Sequence, residues 1–150
     1  MKCLVFHGFL QTGSFMNQKT GQLRKLFPKT CTFVYPDAPF CVKLSEDAAR
    51  IQLVDTSGAV VAETSNNLDV TYAPGNRFGY LLFNGNELVG VQQSIKWLAA
   101  QIREQKPDKI IAFSQGATVL LCALSDPEFT KEFEAYISPA RLCLVSPFFF

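Results

Sequence analysis

One stretch, KIIAFSQGATVLLCAL from Lys109 to Leu124, constrains the fold more than any other. Its first five residues are mostly apolar, as in a buried strand, and the run after Ser114 has the small and apolar residues of a buried helix. A strand followed at once by a helix is typical of parallel α/β folds, in which the turn between them lies at the carboxyl edge of the sheet. The stretch therefore predicts a strand, a tight turn at Ser114 and a helix.

Strand-like and helix-like segments alternate along much of the chain. Apolar runs predict strands at 3–6, 32–35 and within RLCLVSPFFF, and a helical segment near Phe27 ends before Pro28. Two further helices are predicted, one from Asp126 and Pro127 and one from the spacing of Leu88, Val91, Ile95, Leu98 and Ile102. We therefore expect one domain, residues 1–150, with an α/β fold of three layers around a mostly parallel sheet.

The alternation is interrupted between residues 41 and 86. RIQLVDTSGAVVAET predicts a hairpin around DTSG, and APGNRFGYLLFN predicts a loop with an aromatic segment. We expect this region to leave the main sheet. Because basic residues do not interleave with FGYLLF, we expect its aromatic side chains to pack in the core or line a pocket rather than stack on nucleic-acid bases.

Composition excludes several classes of function. Fourteen basic and thirteen acidic residues leave a net charge of +1, too little for binding nucleic acid or an anionic membrane. No apolar run approaches the ~20 residues of a membrane span. Glu46, Asp47 and Asp55 lack the spacing of metal ligands, so we expect them to form a solvated surface rather than a metal site. Five cysteines without a CxxC motif indicate buried thiols in a reducing compartment, the cytoplasm.

Ser114 is the candidate catalytic nucleophile. A serine on a strand-to-helix turn needs small residues two positions before and two positions after it, because the turn crowds its neighbours. Ala112 and Gly116 meet that requirement. A helix that begins at Gln115 would also direct backbone N–H groups and the positive end of its dipole toward the serine oxygen.

HGFLQTG, which follows the first strand, supports this hypothesis. In an acyl-transfer enzyme of this kind, a loop at that place supplies one N–H group of an oxyanion hole, and the residue after the nucleophile supplies the other. The predicted donors are the backbone of Phe9, with Leu10 as the alternative, and the backbone of Gln115.

CLVFHGFLQTG, VYPDAPF, VGVQQSIKWLAAQI and IIAFSQGATVLLCAL resemble the fungal-type serine hydrolase (FSH, OVCA2-like) family of α/β-hydrolases. The resemblance covers residues 1 to about 40 and 87 to 150, and residues 42–86 match only in position. It implies hydrolysis of small acyl esters or thioesters by a Ser-Asp-His triad without metal or organic cofactor. In that family the aspartate and the histidine follow the serine, on loops after two further strands beyond the one that RLCLVSPFFF resembles.

This sequence departs from the family because its single histidine, His7, precedes Ser114. The resemblance therefore implies a C-terminally incomplete hydrolase that is weak or inactive as given. A non-catalytic pseudo-hydrolase that binds a ligand or a protein is the alternative, and an α/β domain with an accidental motif ranks last.

Three expectations concern the edges of the sheet. Strands that end at Asp37, His7 and Ser114 should lie side by side, with His7 bracing its loop rather than acting as the base. Asp37 should fix a turn between Pro36 and Pro39. The last strand should expose an unpaired edge beside Phe148 to Phe150 and promote self-association.

Overall fold

The computed structural model describes residues 1–67 and 76–145. Their helices are α1 (Gly13–Lys19), α2 (Gly21–Arg24), α3 (Val91–Gln105), α4 (Gln115–Leu124) and α5 (Pro127–Phe133). Their strands are β1 (Lys2–Phe6), β2 (Thr32–Val34), β3 (Phe40–Leu44), β4 (Arg50–Val54), β5 (Val60–Ser65), β6 (Phe78–Gly79), β7 (Leu82–Phe83), β8 (Leu88–Val89), β9 (Lys109–Phe113) and β10 (Leu142–Val145).

The main sheet is parallel and has the strand order β10-β9-β1-β2. Leu4 pairs with Ile110 of β9 on one side and with Val34 of β2 on the other. The chain segments after β2, β1 and β9 therefore leave the same edge of the sheet side by side. The predicted adjacency of the strands that precede Asp37, His7 and Ser114 is confirmed.

Helices cover both faces of this sheet. Leu4 and Ile110 belong to a buried cluster that contains the apolar faces of α3, α4 and α5. Val5 and Ile111, the next residue along each strand, belong to a second cluster with Met16 of α1. Because successive side chains of a strand point to opposite faces, this alternation confirms the three-layer α/β arrangement.

A second sheet, antiparallel, has the order β5-β4-β3-β6. Its inner face is formed by Phe40, Val42, Ile51, Leu53 and Ala62. At the β4–β5 turn, the Asp55 N–H donates to the Ala59 carbonyl over 3.0 Å, and Gly58 has a φ of +87°. The predicted hairpin at DTSG and the predicted departure from the main sheet are both confirmed.

Two helix boundaries differ from the predictions. Leu88 lies in β8, and α3 begins only at Val91, because Gly90 turns the chain with a φ of +92°. The helical segment predicted to end near Phe27 is divided into α1 and α2 and ends at Arg24. Thr20, between them, donates its hydroxyl to the Met16 carbonyl over 2.8 Å.

β10 lies next to β9, and among the described residues β9 is its only partner strand. Leu144 and Val145 are 36% and 37% exposed. Phe148 to Phe150, for which we expected exposure, lie outside the described residues. No helix within those residues has the length and apolarity that crossing a membrane requires.

Candidate active site

Ser114 lies between the last residue of β9 and the first residue of α4. Its backbone has a φ of 47° and a ψ of −118°, a conformation that costs a non-glycine residue about 1–3 kcal/mol. The Ser114 N–H donates to the Val145 carbonyl over 2.9 Å, and the Ser114 carbonyl accepts from the Thr118 N–H over 3.0 Å. Strand β10 and helix α4 therefore hold the strained turn from both sides.

Glycine is required at Gly116, where this turn approaches the β1–α1 loop, and the space is also tight at Gly8. A Cβ atom on Gly116 would lie 2.6 Å from the His7 carbonyl oxygen and 3.0 Å from the Phe6 Cβ. A Cβ atom on Gly8 would lie 3.2 Å from the Ser114 Cβ. The expected small residue after the serine therefore has a steric cause, which is the backbone at the end of β1.

The backbone N–H groups of Phe9 and Gln115 have no hydrogen-bond partner within residues 1–67 and 76–145. The Leu10 N–H, the alternative donor, is occupied because it donates to the Phe78 carbonyl over 2.9 Å. Gly8 donates its N–H to the Gln11 Oε1 over 2.8 Å. Of the donors that the sequence suggested, Phe9 and Gln115 thus have N–H groups without a partner in the part of the chain that the structure describes, whereas the Leu10 N–H has one.

His7 is fully buried. Its Nδ1 lies 2.7 Å from the Gly8 carbonyl oxygen and must donate to it, while its Nε2 accepts from the Ala38 N–H over 2.9 Å. Burial lowers the pKa of the imidazole from its ordinary value, against smaller opposing effects of the Gly8 hydrogen bond and the Asp37 charge. His7 is therefore a neutral brace between two loops, and neither ring nitrogen is free to accept a proton from Ser114.

The chain is similar to a known protein family over nearly its whole length. Residues 1–144 match the family model described as serine hydrolase (FSH1). The chain belongs to the FSH1 serine hydrolase family. Among its curated relatives, it is 28% identical to Esterase OVCA2 of Danio rerio over 137 residues, which are 89% of this chain and 60% of the relative.

Two insect relatives show the same level of similarity to this FSH1-family chain. It is 29% identical to Esterase CG5412 of Drosophila melanogaster, over 87% of this chain and 44% of the relative. It is 28% identical to Esterase GA18864 of Drosophila pseudoobscura pseudoobscura, over 87% of this chain and 42% of the relative. The chain thus spans between 42% and 60% of the length of these three esterases.

The prediction that Asp37 fixes a turn between Pro36 and Pro39 is wrong, because residues 35–38 form no turn and the carboxylate bonds to the start of α1 instead. Its Oδ1 accepts from the Gly13 N–H over 2.7 Å, at the first residue of α1. Gly13 itself leaves no room for a side chain, because a Cβ atom would lie 1.9 Å from the Tyr35 carbonyl oxygen. The carboxylate therefore ties the segment after β2 to the beginning of α1.

Two glutamine side chains at the site were not singled out from the sequence. The Gln115 side chain accepts from the Tyr80 N–H over 2.8 Å and donates to the Leu81 carbonyl over 2.9 Å. The Gln11 side chain accepts from the Gly8 N–H. Both residues lie within motifs that the sequence analysis quoted, Gln11 in HGFLQ and Gln115 in FSQG. The sequence around Gln115 nevertheless gives no indication of its side-chain contacts, which are 34 and 35 residues away in the sequence.

The antiparallel sheet contacts the loop that carries the Phe9 amide. The Phe78 N–H donates to the Gln11 carbonyl over 3.1 Å. The Phe9 ring packs against Gly79, where an added Cβ atom would lie 2.8 Å from the Phe9 Cδ2. Leu10, with a φ of 61°, packs on the core of the same sheet. Residues 78–81 thus connect the Phe9 loop with Gln115.

Tyr80, in the aromatic segment, lies in the core. Its ring centroid is 5.4 Å from that of His7 and 5.7 Å from that of Trp97. Its buried hydroxyl has no hydrogen-bond partner among the described residues, and burial raises the pKa of the phenol.

The structure shows no candidate metal site within residues 1–67 and 76–145. No group of three or more His, Cys, Asp or Glu side chains there could hold a metal ion.

Proposed function

We propose that this chain carries the nucleophile and the oxyanion hole of a serine hydrolase that acts on carboxylic esters or thioesters. One observation carries the proposal: Ser114 has a strained backbone at a strand-to-helix turn that meets the β1–α1 loop at Gly8. The N–H groups of the residues after Ser114 and Gly8, which are Gln115 and Phe9, have no partners in the described residues. The relatives, named esterases, support a small acyl ester as the substrate class. No metal or cofactor enters the proposed reaction.

In the proposed reaction, the Ser114 Oγ attacks the acyl carbonyl carbon. The carbonyl oxygen becomes an oxyanion that accepts hydrogen bonds from the Phe9 and Gln115 N–H groups, each worth roughly 3 kcal/mol to the transition state. The general base that takes the Ser114 proton passes it to the leaving oxygen or sulfur, so an alcohol or thiol departs. Water then adds to the acyl group on the serine and releases it as a carboxylic acid. The α4 dipole favours the negative oxygen because Gln115 is the first residue of that helix.

We propose that the general base comes from outside these 150 residues. His7 is their single histidine, and both of its ring nitrogens are engaged with backbone groups. Without a base, the serine hydroxyl is a poor nucleophile, although binding and an oxyanion hole alone leave ~10³-fold acceleration over water in related sites. The chain as given should therefore hydrolyse esters feebly.

The proposal is tested with a fluorophosphonate probe and p-nitrophenyl esters of short acyl chains. The variants are Ser114→Ala, His7→Gln and, as a matched serine control at the exposed end of α4, Ser125→Ala. We expect slow labelling that Ser114→Ala abolishes and Ser125→Ala leaves unchanged. Strong labelling that is lost in folded His7→Gln would identify His7 as the base, and labelling retained in Ser114→Ala would exclude Ser114 as the nucleophile.

The second candidate function is a non-catalytic module that binds an acyl ligand or a protein. The engagement of both His7 nitrogens favours it, because the described residues then offer Ser114 no histidine base. Titration with a short-chain carboxylate, the product of the proposed reaction, distinguishes the two. Saturable binding together with no Ser114-dependent labelling would favour the module.

We also propose self-association through β10 and a cytoplasmic location. The outer edge of β10 has no partner strand among the described residues, and exposed Leu144 and Val145 lie on it, so a second copy could pair there. The five cysteines are free thiols, as is usual in a reducing compartment. Sedimentation at several protein concentrations tests the first proposal, and fractionation of cells tests the second.

A further inference from the structure

Two cysteine side chains meet at the amino edge of the parallel sheet, remote in the fold from Ser114 at the carboxyl edge. The Cys3 Sγ, near the start of β1, lies 3.4 Å from the Cys31 Sγ, just before β2. Cys3 is fully buried and Cys31 is partly exposed. Among the described residues, no other pair of cysteine sulfurs is in contact.

The backbone on both sides of this pair is held in place by the sheet. Lys2 pairs with Thr32 and Cys3 pairs with Phe33, and the Thr32 N–H donates to the Met1 carbonyl over 2.9 Å. A disulfide needs its sulfurs about 2.0 Å apart on neighbouring backbones. The two sulfurs already lie 3.4 Å apart. Because Cys31 precedes β2 and lies two residues from Phe33, the strand partner of Cys3, the segment that carries Cys31 has to move toward β1 for the bond to close.

We propose that Cys3 and Cys31 form a redox-active dithiol site that a low-molecular-weight disulfide, such as glutathione disulfide, oxidises reversibly to an intramolecular disulfide. In the first step, the Cys31 sulfur attacks one sulfur of the small disulfide, and the S–S bond of that molecule breaks. One small thiol departs with the proton that Cys31 lost. A mixed disulfide on Cys31 is left.

In the second step, the Cys3 sulfur attacks the Cys31 sulfur and the mixed disulfide breaks. The second small thiol departs with the proton of Cys3. Two protein thiols are thereby oxidised to one disulfide, and one small disulfide is reduced to two thiols. An excess of the small thiol reverses both steps.

The order of the steps follows from the surroundings of each thiol. Solvent reaches Cys31 but not Cys3. Burial, with Cys31 beside it, raises the pKa of the Cys3 thiol to about 12, so Cys3 is a poor first nucleophile. Once Cys31 carries the mixed disulfide, Cys3 needs no access from solvent because its target sulfur is already its neighbour.

Oxidation should stabilise the fold and leave the site at Ser114 unchanged. The disulfide would close a loop between residues 28 positions apart, which in the chain-entropy description raises Tm by about 10 °C in a domain of this size. This inference does not rest on the proposed hydrolase function, since its readouts are thiols and stability.

The experiment incubates the full chain with glutathione disulfide and glutathione at graded ratios, followed by alkylation, mass spectrometry and thermal unfolding. The variant is Cys31→Ser, and the control is Cys143→Ser, the same change at an exposed cysteine. We expect a Cys3–Cys31 cross-linked peptide in the wild type and in Cys143→Ser, a higher Tm, and full reversal by dithiothreitol. Cys31→Ser should show neither the cross-link nor the rise in Tm.

The peptide map of the wild-type protein decides the proposal even if a variant folds poorly. Five alkylatable thiols after oxidation, or a persistent mixed disulfide on Cys31 without the cross-link, would overturn it. So would cross-linked peptides that join Cys143 of two copies while Cys3 and Cys31 remain reduced. Unchanged fluorophosphonate labelling of Ser114 after oxidation would agree with the separation of the two sites.

Discussion

The carboxyl edge of the parallel sheet and the β4–β5 turn of the antiparallel sheet both depend on glycine, but for different physical reasons. At the first, a Cβ atom on Gly116 would lie 2.6 Å from the His7 carbonyl oxygen. At the second, Gly58 has a φ of +87° and a Cβ atom there would have nothing within 4 Å. The candidate site is thus defined by the space between backbones, and the turn by the conformation of one residue.

The two regions also differ in where their ionisable groups lie and in what shifts the pKa values of these groups. At the carboxyl edge, His7 is buried and burial lowers its pKa. On the antiparallel sheet and its turns, Asp47, Asp55 and Glu63 lie near the surface, and hydrogen bonds from neighbouring side chains and backbone groups lower their pKa values. Acid should therefore affect the two regions in different pH ranges.

The largest effect is expected from Gly116→Ala. The new methyl group would press on the His7 carbonyl and the Phe6 Cβ, and backbone atoms of a buried strand cannot move aside cheaply. We expect a loss of about 2–3 kcal/mol in the free energy of unfolding, measured by urea denaturation.

Gly21→Ala is the matched control, because the nearest atom to its Cβ is the flexible end of Arg24 at 3.9 Å. There the change should be neutral or stabilise the fold by up to about 1 kcal/mol. Equal effects of the two substitutions would show that space at the Ser114 turn is not limiting.

A smaller effect is expected from acid on His7. The pKa of His7 is lower in the folded chain than in the unfolded chain, so the unfolded chain binds more protons as the pH falls. The stability that neutral His7 contributes is therefore present above about pH 6.5 and is lost as the pH falls through the folded-state pKa. The slope can reach about 1.4 kcal/mol per pH unit for one proton. Unfolding measured between pH 7.5 and 5.5 should show this loss in the wild-type protein.

His7→Gln, which keeps a polar side chain without a titrating ring, should flatten that slope even if it lowers stability at every pH. The surface carboxylates behave differently, because their lowered pKa values give stability that is lost only in more acidic solution. A slope between pH 7.5 and 5.5 that is the same in both proteins would show that another group is responsible.

The parts of the fold that depend on local pattern were predictable from the sequence. β9 begins and ends as predicted, at Lys109 and Phe113, and Asp126 accepts from the Glu128 N–H at the start of α5 as an N-cap. Each of these two predictions depends only on residues adjacent in the chain. The predicted start of α3 was wrong, because Leu88 continues the helical spacing although Gly90 turns the chain before the helix begins.

The contacts that build the candidate site were predictable only in part. Strand order placed His7 near Ser114, and the small residues around Ser114 indicated a crowded turn. The partners of the His7 ring could not be predicted, because Ala38 approaches it only through the pairing of β1 with β2. The same holds for the Gln115 side chain, whose partners lie in a region that the sequence described only loosely.

The smallest effect is expected from Gly58→Ala, and it sharpens the comparison with Gly116. A Cβ atom on Gly58 would touch nothing, so the cost arises only from the left-handed φ and should be about 1 kcal/mol in urea denaturation. Gly58→Asn should recover most of it, since asparagine tolerates that conformation. At Gly116 no positive φ is involved, and a larger residue should cost more than alanine. If Gly58→Asn were as destabilising as Gly58→Ala, the turn would depend on something other than its φ, and the contrast between the two regions would fail.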